Sequence, residues 1–364
     1  MEIESLAAFD ARLKASPRDL TGCRIQAVDL TARGWELRAA DPAGAAFLGC
    51  AMSDSVAADL RQRGAMVFPP IADLAFDPYR CALYSAGELY AGIDEQPYEK
   101  TPDALTYAWD HGPRDREDVL GIVLRGLHDD SITDALGEFA ADRRIVGIMG
   151  GHAMARDARD YEQAALLGRS LTRGGFTVAT GGGPGAMEAA NLGAYLAPYP
   201  DEALDDALDL LEDAVDFRSD PTAWARAAFA VRARFPAGQA GVSLSVPTWF
   251  YGHEPPNVFA TAIAKYFANA LREDWLLARS TSGVVFLPGA AGTVQEVFQA
   301  ATPAYYAQAG QVQRRLVLVG ERHWTKTMPA WPLLQALAYS RPMATAIRLV
   351  DSVAEAQALF AVAH

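Results

Sequence analysis

The chain has 364 residues and a formal net charge of −13, with 51% hydrophobic and 21% charged residues. This length fits two globular domains better than one, and the composition is that of a folded protein with buried cores. The acidic charge argues against a nucleic-acid surface, which needs clustered Lys and Arg, and no apolar run approaches the roughly 18 residues of a membrane span.

The N-terminal residues M-E-I-E-S-L-A-A-F-D are acidic and lack the basic start and apolar stretch of a signal peptide. The three cysteines, Cys23, Cys50 and Cys81, are widely spaced and form no CxxC pair. An odd number of isolated cysteines is typical of reduced thiols rather than of disulfides or a zinc site. We therefore expect a cytoplasmic protein without a bound metal.

Residues 1–140 are predicted to form a smaller N-terminal α/β domain with an accessory role. The expected strands and helix of this region are the strands 25–30, 35–38, 46–50 and 66–68 and a helix from Asp54 to Arg63. No internal repeat is apparent beyond the recurrence of strand, turn and helix. His111 and His128 have no second ligand at metal-binding spacing, so we interpret both as satisfied or surface histidines.

The α/β pattern becomes regular from Arg143, and residues 141–364 are predicted to form the second domain. Ile145–Met149 reads as a buried strand that ends in Gly150 and Gly151, and Asp160–Arg173 as an amphipathic helix. The next strand, Phe176–Thr180, runs directly into Gly181-Gly182-Gly183-Pro184-Gly185. A helix is expected from Ala186 to Leu196, with Met187 and Glu188 in its first turn.

The stretch T-W-F-Y-G-H-E-P-P-N follows an expected strand at Gly241–Val246 and is unusually aromatic for a connection. Its aromatic residues fit two interpretations equally: they cover a core edge, or they stack on a base while His253, Glu254 or Asn257 contacts the polar edge of that base. A long helix is expected from Val258 to Ala278, with Arg272 on it and Arg279 at its end.

A second glycine-rich turn follows the short apolar strand Val284–Leu287. Pro288 ends the strand, Gly289, Ala290, Ala291 and Gly292 are small, and Thr293 suits the start of a helix that carries Glu296. A strand, a small-residue turn and a helix N-terminus direct free backbone N–H groups to one point, which suits a phosphate. Two such turns at carboxyl ends of strands are able to face one crevice of an open sheet.

The motifs T-G-G-G-P-G-A-M-E-A-A-N and P-G-A-A-G-T-V-Q-E resemble those of the LOG (lonely guy) family of nucleoside 5′-monophosphate phosphoribohydrolases, over about residues 143–360. In that family the second motif is P-G-G-x-G-T-x-x-E, so Gly289, Gly292, Thr293 and Glu296 match, whereas Ala290 replaces a glycine. The larger bacterial nucleotide 5′-monophosphate nucleosidases, which carry an extra N-terminal domain, are similar in organisation.

The resemblance implies a Rossmann-like open parallel sheet with helices on both faces, a homodimer or higher oligomer, and no cofactor. It implies hydrolysis of the N-glycosidic bond of a nucleoside 5′-monophosphate to the free base and ribose 5-phosphate. Glu296 and an arginine on the preceding helix, for which Arg272 matches better than Arg279, are the implied catalytic residues. The expected substrate-binding residues are Gly150, Gly151, Gly182, Gly183, Gly185, Met187, Glu188, Pro288, Gly289, Ala290, Ala291, Gly292 and Thr293.

Other function classes fit the residues less well. The G-x-G-x-x-G motif with a later acidic residue, typical of nicotinamide-dependent dehydrogenases, is missing, and so is the P-loop motif G-x-x-x-x-G-K-[ST]. No lysine lies in a recognisable pyridoxal-phosphate context. The alternative that stays open is a non-catalytic nucleotide or cofactor carrier on the same fold, because a fold alone does not define an activity.

Overall fold

The computed structural model of the protein describes residues 1–112, 118–251, 254–308, 310–311 and 313–361. The chain divides into two compact units that interleave along the sequence. Met1–Ala82 with Arg114–Ala135 form the first unit, and Leu83–Pro113 with Leu136–His364 form the second. The segment Leu83–Pro113 is therefore part of the same unit as the glycine-rich turns. The sequence-based boundary at residue 140 stays a prediction.

The first unit contains a four-stranded parallel sheet in which the strands follow each other in chain order. Its strands are β1 (Glu2–Ile3), β2 (Arg24–Gln26), β3 (Ala46–Leu48) and β4 (Met66–Phe68). Its helices are α1 (Leu6–Ala15), α2 (Gly34–Ala39) and α3 (Asp54–Gln62). Trp35–Arg38, expected as a strand, lies in α2, because Leu37 is the buried residue of that helix and the alternation of W-E-L-R only imitates a strand.

The strands of this sheet recur at a nearly constant spacing. Arg24 pairs with Ala46, and Ala46 pairs with Met66, so the register advances by 22 and then by 20 residues. A glycine with positive φ stands two residues before each of these strands: Gly22 at 63°, Gly44 at 66° and Gly64 at 92°. The expectation of no internal repeat is therefore wrong for this unit. The backbone conformation recurs, whereas the side chains at matching positions differ, so the repeat is not visible as a recurring sequence.

The repeat also has a recognisable apolar spacing. Residues 20–30 read L-x-x-C-x-I-x-x-V-x-L. The five residues named in this pattern are buried, with exposures of 0 to 3%. This spacing, with one strand and one helical segment per repeat, is typical of leucine-rich repeats. Cys50 occupies the position equivalent to Val28, and its thiol donates a hydrogen bond of 3.3 Å to the Ile25 carbonyl of the preceding strand.

The second unit is a doubly wound α/β layer. Its strands are β5 (Ile145–Met149), β6 (Thr177–Thr180), β7 (Ser243–Ser245), β8 (Ala262–Ile263), β9 (Gly283–Phe286), β10 (Arg315–Val319) and β11 (Ile347–Val350). Its helices are α4 (Ala86–Leu89), α5 (Pro102–His111), α7 (Arg159–Arg173), α8 (Ala186–Tyr195), α9 (Glu202–Leu211), α10 (Pro221–Arg234), α11 (Asn269–Arg279), α12 (Ala291–Tyr306), α13 (Ala330–Ala338) and α14 (Val353–Ala361). Helix α6 (Val119–Ala140) contributes residues to both units.

The seven strands of this unit form one parallel sheet in the order β11-β10-β9-β5-β6-β7-β8, with helices on both faces. The expected Rossmann-like fold is confirmed. The chain builds outward from β5 through β6 to β8, and then returns to the other side of β5 with β9. The direction of winding thus reverses between β5 and β9. In open α/β sheets, ligands bind in the crevice at the carboxyl ends of the strands at such a reversal.

One predicted element of this unit is wrong. Residues 258–268 were expected to begin a long helix, but they are extended and contain β8, and α11 begins only at Asn269. Asn257 Oδ1 accepts from the backbone N–H groups of Phe259 and Ala260, which holds the chain in a turn. Nearly every residue from Val258 to Phe267 is buried, so the segment lacks the exposed face that an amphipathic helix would show.

None of the helices in the described ranges is both long enough and apolar enough to pass through a bilayer. Over the same ranges, His, Cys, Asp and Glu side chains nowhere gather in threes with the spacing of a metal site.

Candidate functional site

Gly151 connects the two glycine-rich turns at the reversal of the sheet. Its N–H donates to the carbonyl of Pro288 at 3.1 Å, and its own carbonyl accepts from Ala186 N at the start of α8, also at 3.1 Å. Gly150 leaves no room for a side chain, because a Cβ there would lie 2.8 Å from Cβ of Ala186. The turns after β5, β6 and β9 therefore meet in one small region.

The first turn, Gly181–Gly185, is buried and needs glycine at two positions. Gly182 and Gly185 have φ of 80° and 71°, in the left-handed region. A Cβ on Gly185 would lie 2.6 Å from the Gly151 carbonyl, so the close approach of two backbones also requires glycine. Asn257 closes the turn from outside, because its N–H donates to the Gly182 carbonyl at 2.8 Å.

The second turn leaves the start of α12 open. Ala290, Ala291 and Gly292 are exposed, and Ala290, as the N-cap residue, has no polar side chain that could satisfy the first backbone N–H groups of the helix. Ala290 has a φ of −107°, outside the left-handed region that favours glycine, so the sign of φ at this position does not require a glycine. Thr293 and Gly289 pack closely: a Cβ on Gly289 would lie 2.2 Å from the Thr293 hydroxyl.

Arg272 on α11 reaches across the carboxyl ends of three strands. Its Nε donates to the Val246 carbonyl at 2.8 Å and its Nη2 to the Gly181 carbonyl at 3.3 Å. Its Nη1 lies 3.6 Å from Oε1 of Glu296 on α12. The two backbone bonds fix the guanidinium plane beside the first turn, and Nη1 faces two carboxylates, that of Glu296 and, at 3.7 Å, that of Glu273.

Glu296 is buried, with 9% of the residue exposed. Burial raises the pKa of its carboxyl to about 7, the charge of Arg272 lowers it, and the charge of Glu273 raises it further. Glu273 is itself held by Asn269 Nδ2 at 2.7 Å and by Gln295 Nε2 at 2.5 Å. A carboxyl whose pKa lies near neutrality in a cleft is suited to acid, base or electrostatic roles in catalysis.

The two candidate arginines have different surroundings. Arg279 lies with its guanidinium 5.2 Å from the centre of the Trp275 ring, and a Cβ on Gly137 would lie 3.3 Å from its Nη2. Arg272, by contrast, contacts Gly181 and Glu296. Of the pair, Arg272 is the one that the structure brings to the glycine-rich turns.

Glu188, expected to contact the substrate, makes a bidentate ion pair inside the protein. Arg156 Nη2 and Nε lie 2.5 and 3.1 Å from its two carboxylate oxygens, and both side chains are 1% exposed. The guanidinium also donates to two backbone carbonyls and lies 4.6 Å from the centre of the Trp224 ring. Met187, its neighbour, lines the first turn, where a Cβ on Gly181 would lie 2.8 Å from its sulfur.

The aromatic stretch after β7 borders a pocket of about 670 Å³. Trp249 is buried and Tyr251 is half exposed, so the stretch both covers the core and lines the pocket. Asn257 takes part in the turn rather than in the pocket, and His253 lies outside the described residues. At the pocket, Asp103 and Lys265 form a buried pair that the sequence reasoning missed. The two residues are far apart in the chain, and no local pattern points to their contact.

One of the two glycine-rich turns lies in a segment that matches a known protein family. Residues 143–197 match the SLOG cluster4 family, which is related to LOG. A search of curated proteins found no match. Solved structures that are similar to this chain include the following two. The molybdenum cofactor carrier protein of Chlamydomonas reinhardtii shares 16% identity, with 60% of this chain and 95% of that chain covered and a TM-score of 0.36.

The second structure is the molybdenum cofactor binding protein of Rippkaea orientalis, with 17% identity, 60% and 94% coverage and a TM-score of 0.34. At these TM-scores neither likeness bears on what this chain does. The match over residues 143–197 covers β5, α7, β6 and α8 together with the first glycine-rich turn. This part of the chain is similar to a LOG-related family, and the sheet to which it belongs is Rossmann-like, as the sequence motifs predicted.

Proposed function

We propose that the protein hydrolyses the N-glycosidic bond of a nucleoside 5′-monophosphate, releasing the free base and ribose 5-phosphate. The observation that carries the proposal is the juxtaposition of Arg272 and Glu296 beside Gly181, at the point where the winding of the sheet reverses. The match to a LOG-related family over residues 143–197 supports a role with nucleotides or related ligands.

The 5′-phosphate would bind at the start of α12. The exposed residues Ala290, Ala291 and Gly292 offer backbone N–H groups with no intrahelical partner, and the positive end of the helix dipole favours an anion. Gly151 lies next to this turn, because its N–H donates to the carbonyl of Pro288. Because the whole chain carries a net charge of −13, the phosphate depends on such a local site rather than on a general positive surface.

Glu296 would act on the ribose. Cleavage of the bond between C1′ and the base builds positive charge on the sugar, as in glycoside hydrolysis, and a nearby carboxylate stabilises that charge. The bond between C1′ and the base breaks with its electrons on the base, the oxygen of a water molecule bonds to C1′, and the proton that this water loses balances the proton that the base takes up. Arg272 would hold Glu296 in place and favour its ionised form, because its charge lowers the pKa of that carboxyl.

The direct test is incubation with purine and pyrimidine nucleoside 5′-monophosphates, followed by chromatography of bases and sugar phosphates. We expect release of a base and ribose 5-phosphate from at least one nucleotide, and release that is about 10²- to 10⁴-fold slower from the matched Glu296→Gln protein. Binding without release by the parent protein would favour the carrier alternative.

We further propose a cytoplasmic homodimer whose first 140 residues form an accessory domain, as the resemblance implies. A solution mass that corresponds to one chain would contradict the dimer. Limited proteolysis that finds no preferred cut between residues 129 and 144 would contradict an independent domain boundary there.

A further inference from the structure

The pocket of about 670 Å³ beside the first turn is built by three parts of the second unit, one of which is Phe217, Arg218 and Pro221 between α9 and the start of α10. Tyr98, Asp103 and Tyr107 come from α5 and the turn before it, and Trp249, Glu254 and Lys265 come from the connection between β7 and α11. Its size is that of a small-molecule site. None of its residues belongs to the segment that matches the SLOG family.

A buried ion pair forms the polar part of this pocket. Lys265 Nζ lies 2.6 Å from Oδ1 of Asp103, and both side chains are 1% exposed. Asp103 also accepts from Trp249 Nε1 at 2.9 Å and from the Tyr98 hydroxyl at 2.7 Å. The Asp103 carboxylate is therefore fully engaged and fixes the position of the lysine.

The Lys265 ammonium group has donors to spare. It carries three N–H bonds, whereas within the described residues it donates a hydrogen bond to Asp103 alone. The Trp249 ring centre lies 5.0 Å from Nζ and provides a cation–π contact instead of a hydrogen bond. A buried donor without an acceptor is costly, so a ligand oxygen in the pocket would stabilise this arrangement.

Glu254 supplies an acceptor on the side of the first turn. Its Oε1 lies 3.3 Å from His152 Nδ1, its side chain is 34% exposed, and its Oε2 would lie 3.4 Å from a Cβ on Gly183. Its charge also acts on Lys265: burial lowers the pKa of that lysine, and Asp103 and then Glu254 oppose the shift. A donor and an acceptor thus border one cavity next to the turn.

The charges and the walls of the pocket select an uncharged planar ligand. The carboxylates of Glu99, Asp103 and Glu254 outnumber the cations Lys265 and Arg218, which disfavours an anion such as a phosphate. Tyr107 and His111 are stacked, with ring centres 4.1 Å apart, and both line the pocket. Aromatic walls with a few polar groups are typical of sites for heteroaromatic rings.

We propose that this pocket binds the base of the nucleotide and selects a lactam edge, in which a ring carbonyl accepts from Lys265 and the adjacent ring N–H donates to Glu254. This inference rests on the proposed function and names its substrate class: 6-oxopurine and uracil-type nucleotides. Adenine has the reverse pattern. Its amino group, a donor, would face the ammonium of Lys265, which is also a donor. Its ring nitrogen N1, an acceptor, would face the carboxylate of Glu254, which is also an acceptor.

Inosine 5′-monophosphate and adenosine 5′-monophosphate are the matched probes, because they differ only at this edge. We expect the Glu296→Gln protein, in which turnover is strongly slowed, to bind the inosine nucleotide at least about tenfold more tightly than the adenosine nucleotide in calorimetric titration. The same ratio is expected in kcat/KM for the parent protein. Equal or tighter binding of the adenosine nucleotide overturns the inference, even where hydrolysis supports the proposed function.

Variants locate the discrimination. Glu254→Gln changes a partly exposed acceptor into a group that also donates, and is expected to reduce the preference to less than about threefold. Glu99→Gln removes the same charge from an exposed position on the pocket rim and should keep the preference. A Glu254→Gln protein with the parental preference overturns the assignment.

Lys265→Met, combined with Asp103→Asn so that no buried charge is left unpaired, should also abolish the preference, with folding checked by thermal denaturation. Binding of neither nucleotide by the parent and Glu296→Gln proteins would overturn the inference together with the proposed function. Preferential binding of the inosine nucleotide without release of any base would retain the pocket assignment and reject catalysis.

Discussion

Arg272 Nη1 lies 3.6 Å from Oε1 of Glu296, and the same guanidinium donates to the carbonyls of Val246 and Gly181. Helix α11 thereby positions the carboxylate of α12 relative to the turn after β6. Because two hydrogen bonds to backbone carbonyls hold Arg272, its positive charge lies at a fixed position beside the Glu296 carboxylate. The pair is the part of the site on which the enzymatic proposal depends.

Glu296→Gln is expected to leave nucleotide binding within about threefold and to reduce kcat by about 10²- to 10⁴-fold, because the carboxylate acts on charge that develops in the transition state. Calorimetry and single-turnover kinetics measure the two quantities separately. Arg272→Ala should behave similarly. Arg279→Ala is the matched control, since Arg279 packs on Trp275, and should retain most activity per folded molecule.

The activity should rise with pH through about 7, because the ionised form of Glu296 is the active one and its pKa is raised to about 7. Glu273 contributes to that raised pKa, so Glu273→Gln should move the rising limb of kcat/KM to lower pH. Asp274→Asn removes a charge from the next, exposed position and should leave the limb in place. A limb that stays fixed in Glu273→Gln would assign the titration to another group.

The same carboxyl should make stability depend on pH. Its pKa is raised from 4.5 to about 7 on folding, so its favourable contribution is present below about pH 4.5 and is lost as the pH rises through about 7. Glu296→Gln removes this loss. Relative to the parent, the variant should gain about 2 to 3 kcal/mol in free energy of unfolding between pH 5 and pH 8, measured by urea denaturation.

Gly185→Ala should destabilise the second unit by about 1 to 3 kcal/mol, because φ is 71° and the new Cβ would lie 2.6 Å from the Gly151 carbonyl. Gly238→Ala provides the control, since a Cβ there meets nothing within 4 Å. Chemical denaturation of both proteins checks the difference. Similar stabilities for the two variants would show that the first turn tolerates a side chain.

Glu188→Gln should cost about 3 to 5 kcal/mol of stability, because it leaves the buried Arg156 guanidinium without its counter-charge. Nucleotide affinity per folded molecule should stay within about threefold of the parent value. A large loss of affinity with little loss of stability would instead support the direct contact with substrate that the sequence suggested.

Short-range patterns revealed most of the second unit before its structure was known. Each glycine-rich turn stands between a buried strand and a helix within about twenty residues, so local spacing alone placed Gly181–Gly185 and Pro288–Gly292. The reversal of winding between β5 and β9 depends on which strands pair, and a single sequence does not contain that information in any local window.

The missed features depend on contacts between distant residues. The segment before α11 is apolar at nearly every position. The periodicity of such a segment does not distinguish a buried helix from a buried strand. Asp103 and Lys265 each look unremarkable in the sequence, and their pairing exists only because α5 packs beside the aromatic stretch. The repeat of 22 and then 20 residues in the first unit was missed because its side chains vary while its glycine conformations recur.

The backbone bridge between Tyr84 and Ile263 joins a segment that is synthesised early to one that is synthesised late. Tyr84 N donates to Ile263 O and Ile263 N to Tyr84 O, each at 2.9 Å, across most of the second unit's sequence. Until the ribosome has added residues 263–265, Tyr84 lacks its pairing with Ile263 and Asp103 lacks its ion pair with Lys265. The repeats of the first unit, by contrast, close on near neighbours. A chain released before Ile263 would therefore lack both the backbone pairing at Tyr84 and the counter-charge of Asp103.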